Sequence, residues 1–194
     1  RINNNPQQFT KEFDSFLATR LGVSQQISEG YSLHFSLSNG FSNPTTTEVR
    51  TNEGSINRAL QSEKGTNYEL NFRGSVTPKL SFDLALFQFN LSDAITTFTD
   101  DQGVVLFRNA GETRQSGIEL SSWMNWRESG NGFIQNLTSK IAYTYHDFSF
   151  ENYVDDGDDF SGNALPGTAP HVFNFQTDID FNNGLYFNLT YHYS

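Results

Sequence analysis

Four arginines, Arg50, Arg58, Arg108 and Arg114, sit in or beside long polar stretches of the chain. A guanidinium carries five donors in a fixed fork and keeps its charge, so such residues suit an anionic ligand. Tyr153 and Phe160 lie in the last of these stretches and offer ring faces. These six residues are the candidates for ligand binding. Acids crowd the same stretch, at Asp155, Asp156, Asp158 and Asp159. Their spacing departs from the calcium loop, in which alternate ligands and a glycine wrap the chain around the ion. They read as a solvated acidic loop, and no metal or other cofactor is expected. His34, His146 and His192 offer bases, but no G-x-S-x-G elbow accompanies them. No catalytic residue is assigned, and the chain is not expected to be an enzyme.

The elements that must position these groups alternate apolar and polar residues. A strand sends successive side chains to opposite faces, so a period of two sorts them. Tyr31, Leu33, Phe35 and Leu37 fall on one face, and Ser32, His34, Ser36 and Ser38 on the other. The same sorting sets Leu17, Leu21, Val23 and Ile27 against Arg20, Gly22 and Ser24, and Tyr68, Leu70, Phe72 and Val76 against Glu69, Asn71 and Arg73. It recurs with Leu80 to Leu86 against Ser81 and Asp83, Ile118 to Trp126 against Glu119 and Asn125, and Leu137 to Tyr145 against Lys140 and His146. Phe173 to Phe181 and Leu185 to Tyr193 complete about eight long strands. Runs of roughly nine to fourteen residues exceed the usual globular strand and match the nine to eleven that cross a bilayer.

The connections have a rhythm of their own. Short links fall at Ser28-Glu29-Gly30, Thr77-Pro78-Lys79 and Asn182-Asn183-Gly184, with a somewhat longer turn from Glu128 to Gly132. Long polar segments run from about Gly40 to Thr66, Asp93 to Thr113 and Phe150 to His171. The middle one holds a predicted hairpin, because Ile95 to Thr99 and Val104 to Arg108 flank the turn sequence Asp100-Asp101-Gln102-Gly103. Short turns at one end and long loops at the other are the pattern of an outer-membrane barrel, whose long loops face the exterior. The fold class read from this is all-β, an antiparallel up-and-down meander forming part of a transmembrane β-barrel. Tyr31, Trp126, Phe133, Phe181 and Tyr186 gather near the short turns, where an interfacial girdle belongs.

Composition is compatible with this reading. Only 36% of the 194 residues are hydrophobic, yet a barrel strand needs an apolar residue only at every second position. No run of about eighteen apolar residues exists, which excludes a transmembrane helix. An exported barrel loses its signal segment, so none is expected ahead of Arg1. Cysteine is absent, and disulfides and thiolate metal sites go with it. A net charge of −10 argues against nucleic acid, which needs a basic footprint.

Four segments resemble the barrel of TonB-dependent outer-membrane receptors, especially the ferric-siderophore class. They are Gly40-Phe41-Ser42-Asn43-Pro44-Thr45 with Glu48, Glu63-Lys64-Gly65-Thr66-Asn67-Tyr68-Glu69-Leu70, Asn109-Ala110-Gly111-Glu112-Thr113 leading to Gly117-Ile118-Glu119-Leu120, and Leu165-Pro166-Gly167-Thr168-Ala169-Pro170-His171. The resemblance implies a barrel of about 22 strands around an N-terminal plug domain. It implies energy-coupled uptake of a scarce ligand through TonB, first of all a ferric siderophore. Residues 1–194 would then be a single partial barrel domain from the C-terminal half, without the plug and without the closing strand. The implied partners are that plug, the TonB system acting through it, outer-membrane lipid and the small ligand. In that setting the loop arginines would attract an anionic iron chelate, and Arg20, Arg73, Glu119, Lys140 and His146 would line a wet lumen. The alternative is a secreted carbohydrate-binding or adhesive β-sandwich, which also alternates and would use Tyr153 and Phe160 as sugar platforms.

Overall fold

The computed structural model describes residues 12–13, 15–49, 56–99, 102–109, 111–128, 132–155 and 157–194. Its strands are β1 (Arg20–Ser28), β2 (Tyr31–Ser42), β3 (Glu63–Thr77), β4 (Leu80–Ser92), β5 (Ile95–Thr99), β6 (Val105–Asn109), β7 (Glu112–Arg127), β8 (Ile134–Asn152), β9 (Val154–Asp155), β10 (Asp158–Asp159), β11 (His171–Phe181) and β12 (Tyr186–Tyr193), with one short helix α1 (Thr46–Val49). Eight of them form a single antiparallel sheet in the order β1-β2-β3-β4-β7-β8-β11-β12, each next to its neighbour in the chain once the small hairpins are set aside. One sheet in meander order is the expected barrel wall, and it replaces the sandwich alternative, which needs two stacked sheets. The hairpin β5–β6 forms as predicted, one residue later on its second strand. Asp100 and Asp101 of its turn, Ala110 of the third motif, and part of the Glu128 to Gly132 turn lie outside the described residues.

Register turns the period of two into two continuous faces. Gln25, Leu33, Phe72, Leu84, Leu120, Tyr143, Phe173 and Tyr193 oppose one another across all eight strands. One residue away on every strand runs Gln26, Ser32, Arg73, Asp83, Ser121, Ala142, Asn174 and His192. The polar face is the inner one: a concavity of about 560 Å³ on that side is lined from Arg73 on β3 to Thr190 on β12, so the sheet curls toward it. The apolar face is turned outward. Among the described residues the only buried hydrophobic ones are Leu60 and Ala94, both in the loops. A sheet of this size with its leucines and aromatics exposed presents a larger apolar surface than soluble monomers usually carry.

Inner polar groups satisfy one another. Arg73 donates from Nε to Asp83 at 2.8 Å across the β3–β4 ladder. Asp178 accepts from the Tyr186 hydroxyl, from Asn188 at 2.7 Å and, through its second oxygen, from Gln176 at 3.0 Å. Tyr186 is therefore an inner residue and not part of the girdle, because it opposes Asp180 and shares the parity of Asn188 and Thr190. The other expected girdle residues face outward at the short-turn end: Tyr31 groups with Phe72 and Phe82, with centroids 5.3 to 6.4 Å apart, Phe133 meets Phe181 at 5.0 Å, and the exposed Trp126 donates Nε1 to Ser139 at 3.0 Å.

Two further boundaries differ from expectation. Pairing begins at Arg20, so Leu17 precedes the ladder and is 78% exposed. At the loop end β2 runs on to Ser42 and β3 starts at Glu63, with Gly40 opposite Gly65. The first long connection is therefore 43–62, shorter than the polarity suggests. Outward positions there are Asn39, Phe41, Lys64, Thr66, Asn90 and Ser92, all but one polar, so alternation fades while the hydrogen-bonded ladder continues above the apolar belt.

The tight turns explain themselves locally. Gly30 has φ 81° and Gly184 φ 82°, a left-handed conformation that glycine adopts without strain. Register shifts sit beside all four of the shorter turns, between Gln26 and Ser28, Ser75 and Thr77, Asn125 and Arg127, and Asp180 and Phe181. Bulges there add local twist, which a closing wall requires.

Candidate functional site

The loop end carries a crown built from the three long connections. In the first, α1 is capped reciprocally: the Thr45 amide donates to Glu48 Oε2 at 2.6 Å, and the Glu48 amide donates to Thr45 Oγ1 at 3.4 Å. This is a Thr-x-x-Glu capping box, and it fixes where the chain turns after Pro44. In the second, β5–β6 stands up as a hairpin. In the third, β9 and β10 pair Val154 with Asp159 and Asp155 with Asp158, a small hairpin that periodicity had not indicated.

These hairpins bring together half of the expected ligand residues. Arg108 on β6 pairs with Asp155 on β9, each side chain about one-third exposed (32% and 30%). The Arg108 guanidinium carbon lies 4.9 Å from the centre of the Phe98 ring, a cation–π arrangement within the hairpin. Tyr153 donates its hydroxyl to Asp155 at 3.3 Å. Its ring stacks on Phe150 at 4.7 Å and meets Phe160 at 5.8 Å. Arg108, Tyr153 and Phe160 thus form one cluster of charge and rings. Like charges facing each other across a strand pair repel, and Arg108 offsets that repulsion at Asp155.

The other three candidates stand apart. Arg114 is on the outer face of β7, opposite Asn90 and Ser149, and pairs with Glu151 at 3.1 Å. Arg58 follows Asn57 in the first connection, where it has interactions of its own. Arg50 lies outside the described residues, as does Asp156 of the acidic group. Asp159 is fully solvated, and hydrogen bonds from Ser161, first its side chain and then its backbone amide at 2.9 Å, hold its carboxyl below the ordinary value.

Below the crown, the inner face carries rings that alternation alone does not explain. Phe87 meets Phe148 at 6.2 Å, and Phe148 meets His146 at 4.7 Å. A Cβ on Gly117 would come within 2.4 Å of Phe87, and one on Gly65 within 2.5 Å of Phe89. Each ring covers a glycine on the adjacent strand, which restores packing where a side chain is missing. The signal was present in the sequence as glycines inside strands, but which ring covers which glycine depends on register.

The histidines do not make a hydrolytic site. Nδ1 of His34 bonds the Ser24 hydroxyl at 2.7 Å, that of His146 the Ala169 carbonyl at 2.9 Å, and that of His192 the Asn174 amide oxygen at 2.8 Å. Each is spent on a neutral group, where a triad needs an orienting carboxylate. His171 lies on the outer face, bonded to the Tyr143 hydroxyl at 2.9 Å and packed on Tyr145 at 5.2 Å.

Known proteins share this architecture. The FrpB iron transporter from Neisseria meningitidis superposes with a TM-score of 0.64 at 19% identity, covering 91% of this chain and 26% of that one. The ferric-catecholate import receptor Fiu from E. coli K12 gives 0.65 at 18%, covering 89% and 24%. The copper transporter OprC gives 0.62 at 17%, covering 84% and 24%. At these identities the likeness is one of fold, and the chain spans about a quarter of the length of the solved proteins it matches. These solved proteins are transporters and receptors rather than enzymes. The profile of the TonB dependent receptor-like β-barrel family matches residues 1–194, which carries the likeness from backbone to sequence, and the chain belongs to that family.

Proposed function

We propose that this chain is one part of the barrel of an outer-membrane TonB-dependent receptor that imports a ferric siderophore. The observation that carries the reading is the pairing of an outward apolar belt with a crown that gathers Arg108, Tyr153 and Phe160 at the loop end. The belt suits lipid, and the crown suits a bulky anion with flat groups. The rest of the receptor, on this reading, supplies the plug within the barrel and the segment that meets TonB. Arg108, Tyr153 and Phe160 contact the ligand, joined by Arg50 and Arg58 from the first connection. Arg114, paired on the outer face, serves the wall. Iron is favoured over copper because FrpB and Fiu import iron, whereas OprC carries copper.

The test is uptake by cells that depend on the full-length receptor, fed radiolabelled iron on a panel of siderophores, with copper as the competing cargo. The reading expects saturable iron uptake that needs TonB and falls at least tenfold in Arg108→Ala. Copper uptake without iron uptake would replace the ligand, and TonB-independent uptake would remove the mechanism.

A further inference from the structure

The three connections of the crown are fastened by different chemistry. The second is tied to the first by neutral amides: Asn57 donates to the Phe107 carbonyl at 2.6 Å, the Gln61 amide donates to Asn109 Oδ1 at 2.6 Å, and Asn109 Nδ2 returns to the Gln61 carbonyl at 3.0 Å. It is also tied to the wall, where the Ile95 amide donates to Glu63 Oε1 at 2.8 Å. The third connection touches the second at Gly111, which packs against Asn152 and Tyr153 at its base. Higher up, the tie is the Arg108–Asp155 ion pair.

That pair is incomplete. Asp155 takes Arg108 Nη2, while Arg108 Nε is buried and has no acceptor among the described residues. A buried donor left unmade costs free energy, and a carboxylate or phosphate meeting a guanidinium side-on takes two donors at once. Asp155, for its part, has a second partner in the Tyr153 hydroxyl, so leaving Arg108 does not strand it.

We propose that Arg108–Asp155 is a displaceable clasp: an anionic group entering the crown takes Nε and Nη2 of Arg108 together, and Asp155 is released. The β5–β6 hairpin stays in place because amides hold it to the first connection and the wall. The tip of the β9–β10 hairpin, paired over two residues on each strand, swings away, while Tyr153 and Phe160, bonded to each other at its base, stay to meet the bound group. This inference rests on reading the crown as the ligand site and adds how that site opens. It commits to the chemistry of a bidentate oxyanion, whichever molecule bears it.

The experiment is a spin-label distance measurement in the full-length receptor in outer-membrane vesicles, with labels at Val105→Cys and Asp158→Cys. Residues 1–194 hold no cysteine that would compete for label. Inorganic phosphate and citrate are titrated at constant ionic strength against chloride. The clasp expects a second, longer distance to grow with phosphate and citrate but not chloride. It expects Asp155→Asn to show that longer distance without any anion, and Arg108→Lys to lose the response to anions. An unchanged distance at saturating phosphate and citrate would overturn it, and so would an Asp155→Asn receptor with the wild-type distance. Circular dichroism of each variant confirms a folded wall, and the Arg108→Asp/Asp155→Arg exchange, expected to restore the short distance, guards against a variant that only loosens the crown. Iron uptake is scored separately. A responsive clasp without uptake would sink only the proposed cargo, and uptake with an unresponsive clasp would sink only the clasp.

Discussion

In the wall, most large apolar side chains face outward and none of those described is buried; in the crown, Leu60 is 1% exposed and Ala94 8%. The wall has a ladder of backbone bonds and an inner lining of paired polar groups, but no core of its own. The crown has a small core, an amide lattice between two connections and an ion pair to the third. One region thus depends on what surrounds it and the other on what it encloses. Stability measured on the whole molecule would mix two quantities that respond to different changes.

The largest separation should come from Leu60→Ala, which removes a buried side chain and costs about 2–5 kcal/mol. Hydrogen exchange in the full-length receptor should show the loss at 43–62 and at the β5–β6 hairpin, with the ladder of β3, β4 and β7 still protected. Loss of protection throughout would mean that crown and wall are one unit. Leu84→Arg probes the other side. On the outer face near the midplane it should cost about 2–4 kcal/mol in a membrane-inserted receptor, while Ser81→Arg on the inner face is tolerated. Equal harm from both would mean that the two faces are misassigned.

Gly117→Ala sharpens the comparison within the wall. Its Cβ would meet the Tyr145 carbonyl oxygen at 2.5 Å as well as Phe87, and a backbone atom cannot rotate aside. Overpacking of this kind costs about 1–3 kcal/mol, read as a lower unfolding midpoint. The smallest effect should be at Asp159. Its folded-state pKa lies below the ordinary 3.8, so its contribution is present above that value and fades as pH falls through the lowered one. The protection of the Ser161 amide, taken relative to its intrinsic exchange rate, should fall as pH drops from about 5 to about 2, with no such change in Asp159→Asn.

The wall was legible because an apolar face on one side and a polar face on the other impose a period of two that no local preference disturbs. Where the outer face turns polar, at Asn39 and Thr66, the same reasoning ended the strands too early, since the ladder needs no alternation to continue. Tyr186 was misplaced because type suggested a girdle while parity set it beside Asp178. The crown was legible in its residues and not in its pairings. Arg108 and Asp155 are 47 positions apart, and nothing local to either names the other. The capping box at Thr45 and Glu48 was readable by rule, being a contact within one turn.

The length of β8 has a consequence for traffic. Its outward apolar positions end at Tyr145, and Asp147, Ser149 and Glu151 follow on the same side before the strand stops at Asn152. Seven further residues at about 3.3 Å each lift the crown roughly 23 Å along the strand beyond the apolar belt. In the proposed receptor, a ligand caught in the crown has that distance to descend before it is level with the membrane. Capture and descent are then separate journeys, so changes at Arg108 or Tyr153 should alter how much ligand is held and leave the pace of its passage to the wall below.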